Sequence, residues 1–158
     1  MSEVQAIKDA ETVQLIGHLL SIRYHRQMAD VWYIGLNLAL RISDLLAIRF
    51  DDIHGDRLRI KERKTGKIAD IQLNPKTLAR IEKIRADHPD HVYLFQSHRC
   101  QQIKQLPPKP LSRRAVTLAF QQVGQELNLS LGTHSMRKTR GYMLYQATKP
   151  SFRSQLMN

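Results

Sequence analysis

Residues 28–40, with the sequence MADVWYIGLNLAL, limit most strongly what this chain can fold into. If the segment is a helix, apolar side chains cover almost its whole circumference, and other elements must surround it. Its longest apolar run, VWYIGLNLAL, is too short to span a bilayer and contains Asn37, so no membrane association is predicted. We therefore expect a buried central helix in a mainly helical domain.

Local signals predict further helices and one β-hairpin around this segment. Side chains suited to the N-cap position precede four more predicted helices: Asp9, Ser43, Asn74 and Ser112. A final helix follows Gly132 and Thr133. In RLRIKERKTGKIADIQL, apolar and polar residues alternate on both sides of KTG, where Gly66 can adopt a positive φ, and this pattern predicts a β-hairpin. The predicted fold class is mainly α with a small antiparallel β-sheet (α+β).

Length and cysteine content fit one domain in a reducing compartment. The 158 residues suit a single domain that needs no disulfide or metal to be stable. Cys100 is the only cysteine in the sequence, so no internal disulfide can form. The first residues lack the pattern of a signal peptide. We expect a cytoplasmic protein, nucleoid-associated if bacterial.

The positive charge is concentrated in one part of the chain. Residues 1–56 contain 5 Lys and Arg against 8 Asp and Glu, a net charge of −3. Residues 57–158 contain 20 against 6, a net charge of +14. A basic excess confined to part of a domain is typical of a polyanion site, although a solubilising surface is the alternative. Double-stranded DNA is the predicted partner.

Two isolated cations suggest phosphate chemistry. Arg41 directly follows the apolar helix, where a buried guanidinium needs an anion. That anion is either Asp44, three residues on, or a bound phosphate that Asp44 helps to position. Lys64 stands at the hairpin tip, where it is either simply solvated or enters a nucleic-acid groove and gives a proton to an alkoxide.

The stretch GTHSMRKTRGYMLYQ combines His134 and Arg137 with two tyrosines. The first two lie at i and i+3 in the first turn of a predicted helix, where the helix dipole favours a phosphate; a basic helix cap is the alternative. Tyr142 lies about 140° around the helix from Arg137, and Tyr145 lies about 16 Å from His134 along the axis. We therefore predict core packing for the stretch YMLY, residues 142–145, including both tyrosines.

A rival site would be a zinc centre in HPDHVYLFQSHRC. The candidate ligands are His88, His91, His98 and Cys100. Their spacing matches no common zinc pattern, and Pro89 prevents the first two from sharing a helix turn. No metal site is therefore predicted.

Four motifs in order resemble the catalytic domain of the tyrosine recombinases, the phage integrase family. They are LALRISDLLAIRFDDI, KERKTGKIADIQL, PLSRRAV and GTHSMRKTRG. The resemblance covers residues 1–149 and implies the family's mainly helical fold, with no cofactor. It also implies that Arg41 and Arg137 grip a scissile phosphate, that His134 assists, and that Lys64 is the general acid. Asp44 would support the first arginine. The DNA contacts would come from Arg63, Lys67, Arg113, Arg114, Lys138 and Arg140.

The sequence departs from the family pattern after residue 149. Residues 150–158 lack the further His or Trp and the nucleophilic tyrosine that the family carries, and Pro150 interrupts the expected helix. The expectation is a domain that is inactive alone in covalent strand cleavage. It is either active with a tyrosine supplied in trans by an intact recombinase protomer, or a non-catalytic, regulatory DNA-binding protein.

Overall fold

The computed structural model describes residues 6–98 and 106–148, with the backbone alone for residues 145–148. The helices are α1 (Ala10–Arg23), α2 (Arg26–Leu38), α3 (Ile42–Leu46), α4 (Pro75–Asp87), α5 (Arg113–Glu126) and α6 (His134–Thr148). A 3-10 turn (Phe50–Asp52) precedes the strands β1 (Ile53–His54), β2 (Arg57–Lys61) and β3 (Ile68–Gln72). The predicted fold class is confirmed. The divergent segment of residues 150–158 lies outside the described residues.

Helix α2 is the centre of the core, as the sequence predicts. It packs against α1, α4 and α6, because nearly all of its surface is apolar. Trp32 is fully buried, and its Nε1 donates a hydrogen bond to the Val13 carbonyl of α1 at 3.0 Å. Its ring meets Phe120 of α5 edge to face, with centroids 5.7 Å apart. In the part of the chain that the structure describes, no helix is long and apolar enough to cross a membrane.

Three of the four predicted N-caps are confirmed. The side chains of Asp9, Asn74 and Ser112 each accept a hydrogen bond from a backbone N–H in the first turn of their helix. The prediction for Ser43 is wrong. Because α3 begins at Ile42, Ser43 lies inside the helix.

The predicted end of the central helix at residue 40 is also wrong. Ala39 adopts a left-handed conformation, with φ 54° and ψ 32°, and its N–H donates to the Gly35 carbonyl. The helix therefore ends at Leu38, and the chain leaves it before reaching Arg41. No residue in this stretch is a typical signal for such an ending, since glycine is the usual choice.

The sheet has the antiparallel order β1-β2-β3, and its hairpin is the one predicted. Leu58 pairs with Ile71, and Lys61 pairs with Ile68 at the end of the hairpin next to the turn. Gly66 has a φ of 70°, which confirms the predicted positive value. The two-residue strand β1 was not predicted, because it is too short to show any alternation.

A close approach at Gly124 fixes the chain segment that leads into α6. A Cβ atom placed on Gly124 would lie 2.7 Å from both the Leu129 carbonyl oxygen and the Leu131 Cβ. These neighbours are a backbone atom and the root of a side chain, so neither can move without moving the chain. The glycine therefore lets residues 129–131 lie directly against α5, just before His134.

We expect Gly124→Ala to lower the free energy of unfolding by about 1–3 kcal/mol, as overpacked substitutions do. Gly141→Ala is the matched control, because no atom lies within 4 Å of its added Cβ. On an exposed helical position this change should raise stability by about 0.5–1 kcal/mol. Urea denaturation of both variants measures the difference. Equal effects of the two substitutions would contradict the close approach.

Candidate functional site

Arg41 lies in the sharp connection between α2 and α3. Ala39 ends α2 in the left-handed conformation, and Arg41 is extended, with φ −61° and ψ 146°. Leu40 and Ile42 on either side are buried in the core, whereas Arg41 is half-buried. Within residues 6–98 and 106–148, no hydrogen bond or ion pair reaches its guanidinium. The backbone thus holds a cation at the surface with its charged group unpaired.

Arg137 reaches the same connection from the other end of the sequence. Its Nε donates a hydrogen bond at 3.0 Å to the carbonyl oxygen of Ala39, 98 residues away and two residues before Arg41. This bond uses one of the five N–H groups of the guanidinium. The other four remain available on an exposed side chain. The structure therefore brings the two predicted arginines to one corner of the molecule.

Burial on the opposite side of α6 determines which side chains face solvent. Ser135, Met136 and Thr139 are all buried. His134 and Arg137 are both exposed, as expected for a pair at i and i+3 on the outer face. His134 is the first residue of the helix. The predicted pair thus shares one solvent-facing side at the helix N-terminus, where the dipole favours an anion.

Lys64 stands in the six-residue connection between β2 and β3. The connection is closed by two backbone hydrogen bonds of 2.8 Å, from Glu62 N–H to the Lys67 carbonyl and from Gly66 N–H to the Glu62 carbonyl. Lys64 is exposed at the tip, where the sequence predicts it. The connection is therefore an ordered turn, and its lysine faces solvent.

The Asp44 carboxylate contacts this turn and not the Arg41 guanidinium. Its carboxylate Oδ1 accepts a hydrogen bond from the backbone N–H of Arg63 at 3.1 Å, and the residue is 4% exposed. The ion pairs of the described residues do not include one between Arg41 and Asp44. The alternative in which these two side chains simply neutralise each other is wrong, because Asp44 is buried beneath the hairpin and Arg41 faces outward.

The predicted DNA-contacting residues lie in the hairpin turn, at the start of α5 and on α6. Arg63 and Lys67 are exposed in the hairpin turn, and Arg113 and Arg114 are exposed in the first turn of α5. Lys138 is exposed on α6, and Arg140 is half-buried there. Cations at the N-terminus of α5 oppose the helix dipole. Their position therefore costs some helix stability, which binding to an anion would offset.

The stretch YMLY of α6 follows the packing prediction only in part. Tyr142 is half-buried, with the Lys8 ammonium 5.5 Å from its ring centroid, so it faces the N-terminal segment. Met143 packs against the core, but Leu144 is 49% exposed. The packing prediction for this stretch is therefore wrong for Leu144. The side chain of Tyr145 is outside the described part.

The histidines of the rival zinc motif do form a cluster. His88 and His91 stack with centroids 4.3 Å apart, and His98 lies 5.8 Å and 6.3 Å from them. His25, which the sequence does not single out, meets His98 edge to face at 5.5 Å. Among the described residues, no group of three or more potential ligands is arranged to hold a metal ion. Cys100 lies outside them.

The sequence does not predict the two hydrogen bonds that connect the site residues. The Ala39 carbonyl and the Arg63 N–H are backbone groups, and every residue except proline carries both kinds of group. A left-handed alanine or an i to i+19 hydrogen bond leaves no mark in the sequence. The polar side chains could be proposed, but their connections required the tertiary structure.

Comparison with known proteins identifies the family. The sequence pattern of the phage integrase family matches residues 7–152. The chain belongs to this family. Over 151 residues, this phage integrase family member is 32% identical to "Probable integrase/recombinase YoeC" of Bacillus subtilis (strain 168). The match covers 94% of the chain and 79% of that relative. The resemblance to tyrosine recombinases is thereby confirmed.

Solved structures share the fold of this family member. The lambda integrase catalytic core superposes with a TM-score of 0.72 at 16% identity, covering 97% of this chain and 91% of that one. A lambda integrase dimer bound to a COC′ core site gives 0.71 at 17% identity, and XerH bound to its difH substrate gives 0.67 at 12%. The match to the lambda integrase dimer covers 99% of this chain but only 58% of that protein. The match to XerH covers 92% of this chain and 44% of that protein.

The histidine cluster predicts a pH-dependent stability. Burial lowers the pKa of His91 below its ordinary value of 6.5, and His88 and His98 lower it further. The unfolded chain therefore takes up a proton more readily than the folded chain below about pH 6.5. We expect the free energy of unfolding to fall as the pH is lowered from 7.5 to 5.5, and His91→Gln to make this fall shallower.

Urea denaturation across this pH range checks the effect. His18→Gln is the matched control, because it removes an exposed histidine of α1 outside the cluster. A wild-type stability that does not change with pH, or an equal effect of both variants, would contradict the assignment to the cluster.

Proposed function

We propose that this domain binds the scissile phosphate of double-stranded DNA and protonates the leaving strand in a site-specific recombination reaction. The observation that carries the proposal is the 3.0 Å bond from Arg137 Nε to the Ala39 carbonyl. It holds a second guanidinium at the connection that carries the half-buried Arg41, whose own guanidinium has no partner among the described residues. Two guanidiniums at one surface corner suit a phosphate diester, because each can donate two parallel hydrogen bonds to its oxygens.

The proposed roles follow from the charges that develop in phosphoryl transfer. A tyrosine oxygen attacks the phosphorus, the bond to the 5′-oxygen breaks, and the DNA 3′-phosphate becomes linked to the tyrosine. Arg41 and Arg137 stabilise the additional negative charge of the pentacoordinate phosphorus, and His134 assists in positioning the phosphate and in proton transfer. Lys64 donates a proton to the departing 5′-oxygen. The arginines supply the positive charge that a metal ion supplies in other phosphoryl-transfer sites.

The nucleophilic tyrosine comes, in this proposal, from another protomer. The ring of Tyr142 lies beside Lys8 and not on the exposed side that carries His134 and Arg137. Tyr145 lies about 16 Å from His134 along a continuous helix, too far for attack at a phosphate held there. An intact recombinase protomer would place its own tyrosine at the Arg41–Arg137 corner. A purely regulatory DNA-binding role, without strand cleavage, is the alternative that the following experiments separate.

DNA binding should depend steeply on salt, because phosphate contacts release counterions. For binding to duplex DNA, we expect the double replacement Arg113→Ala with Arg114→Ala to reduce the slope of log K against log salt by about 2. Gel shifts at several salt concentrations measure the slope. Lys83→Ala, an exposed cation on α4 outside the proposed contacts, is the control. A slope near zero for the wild-type chain would rule out phosphate contacts.

Cleavage in trans can be tested with a mixture of two defective proteins. An intact relative that has lost the arginine corresponding to Arg41 should not cleave alone, but it retains its tyrosine. Adding this chain should restore covalent attachment of DNA to the relative's tyrosine. The Arg41→Ala variant should reduce the rate at least about 10²-fold, since it removes a main stabiliser of the developing charge.

The same mixture separates the alternatives. Lys83→Ala should cleave at the wild-type rate, which controls for the loss of one positive charge. Restored cleavage that does not depend on Arg41 would overturn the proposed phosphate site. A covalent adduct on Tyr142 or Tyr145 would overturn the proposal of a tyrosine in trans. Tight DNA binding with no cleavage in any mixture would favour the regulatory role.

A further inference from the structure

The carboxylate of Asp44 lies beneath the hairpin turn that carries Lys64. Asp44 belongs to α3 and is 4% exposed, and its Oδ1 accepts the Arg63 N–H at 3.1 Å. Burial of a carboxylate is costly unless hydrogen bonds compensate for the lost water. A hydrogen bond from a backbone amide to a charged acceptor is roughly twice as strong as one between neutral groups. The contact is therefore a strong, directional connection from the helical part of the domain to the turn.

The other hydrogen bonds of the turn do not fix its position. The two bonds that involve Glu62, with Lys67 and with Gly66, are internal to the connection, and so are the two made by the Thr65 hydroxyl. As far as the structure describes the chain, Asp44–Arg63 is the hydrogen bond that joins residues 62–67 to the helices.

Packing beneath the turn is incomplete as well. A cavity of about 110 Å³ lies between the hairpin and α3, lined by Asp44, Ala47, Asp52, Ile60, Lys61 and Arg63. Ile60 of β2 packs against the core, but side chains do not fill the space between the turn and α3. The hydrogen bond to Asp44 is then the contact that joins the turn itself to α3.

We propose that Asp44 is a positioning residue for Lys64, which holds the hairpin turn at the corner formed by Arg41 and Arg137. The inference rests on the proposed role of Lys64 as general acid. It replaces the expectation that Asp44 supports Arg41. Asp44 lies in α3, three residues after Arg41, and Arg63 directly precedes Lys64 in the turn. One hydrogen bond therefore connects the phosphate-binding and proton-donating parts of the site.

The first measurement is amide hydrogen exchange at Arg63. Asp44→Ala removes the acceptor and should speed exchange of the Arg63 amide at least about 10-fold, because a hydrogen bond to a charged acceptor protects the amide strongly. Asp44→Asn keeps an acceptor oxygen at the same place and should retain most of the protection. Arg63 exchange that is unchanged in Asp44→Ala would overturn the proposal. If Asp44→Ala does not fold, Asp44→Ser, which is too short to reach the turn, takes its place.

The second measurement uses the mixed cleavage reaction with two substrates. With an ordinary phosphodiester, Lys64→Ala should lose about 10²-fold in rate, the lower range for a general acid. Asp44→Ala should lose at least about 10-fold in rate, because it displaces the general acid without removing it. A substrate with sulfur at the 5′-bridging position leaves as a thiolate and needs no acid, so both variants should recover most of their rate. Arg41→Ala should not recover.

The outcomes separate the inference from the proposed function. If Asp44→Ala slows both substrates equally while Lys64→Ala recovers, Asp44 acts through the phosphate clamp and the inference is wrong. If Lys64→Ala does not recover, Lys64 is not the general acid and that part of the proposed function fails. In that case the exchange of the Arg63 amide alone decides whether Asp44 positions the turn.

Discussion

Ala39 ends the buried helix α2 in a left-handed conformation, and its carbonyl oxygen accepts a hydrogen bond from the guanidinium of Arg137. For a residue with a Cβ this conformation costs roughly 1–2 kcal/mol. The surrounding contacts hold the strained residue in place: its N–H is bonded to Gly35, and the following Leu40 and Ile42 are buried in the core. The left-handed turn projects Arg41 between them. Because α2 is packed in the core, its end at Ala39 fixes the positions of Arg41 and Arg137.

The sequence identified local structure where a side chain makes a local bond. Asp9, Asn74 and Ser112 cap the helices that the sequence predicts, because each cap contact is made within three residues. Ser43 shows the limit of this reasoning. It has the right type and place for a cap, yet α3 begins at Ile42, two residues earlier than a cap at Ser43 would place it.

The candidate site was predictable in its cations and not in its connections. The types and spacing of Arg41, Lys64, His134 and Arg137 could be read from motifs and from the family resemblance. Asp44 was associated with Arg41, its neighbour in sequence, whereas its carboxylate contacts the hairpin 19 residues away. Tertiary structure decided between two acceptable partners, and sequence spacing alone cannot supply that choice.

The arginines of the described part divide into two groups. One group is paired with carboxylates between or along elements: Arg23–Glu126, Arg26–Asp87, Arg57–Asp70, Arg80–Asp30 and Arg85–Glu82. Four of these pairs are on the surface, where each contributes little stability. Their effect is to neutralise the arginines that lie away from the corner. The other group has no carboxylate partner among the described ion pairs and is available to a polyanion. It comprises Arg41, Arg49, Arg59, Arg63, Arg113, Arg114, Arg137 and Arg140.

The phosphate-binding arginines and the proton-donating lysine need different degrees of rigidity, and the single hydrogen bond between Asp44 and Arg63 suits this difference. The phosphate oxygens that the arginines would bind have fixed geometry, and a clamp supported by the core suits them. A general acid must reach the oxygen of a departing strand, whose position changes as the bond breaks. A hairpin turn held at one point can adjust to that movement while the buried carboxylate keeps it within reach. A lysine on a packed helix would have no such freedom, which gives a physical reason for placing the proton donor on a strand connection.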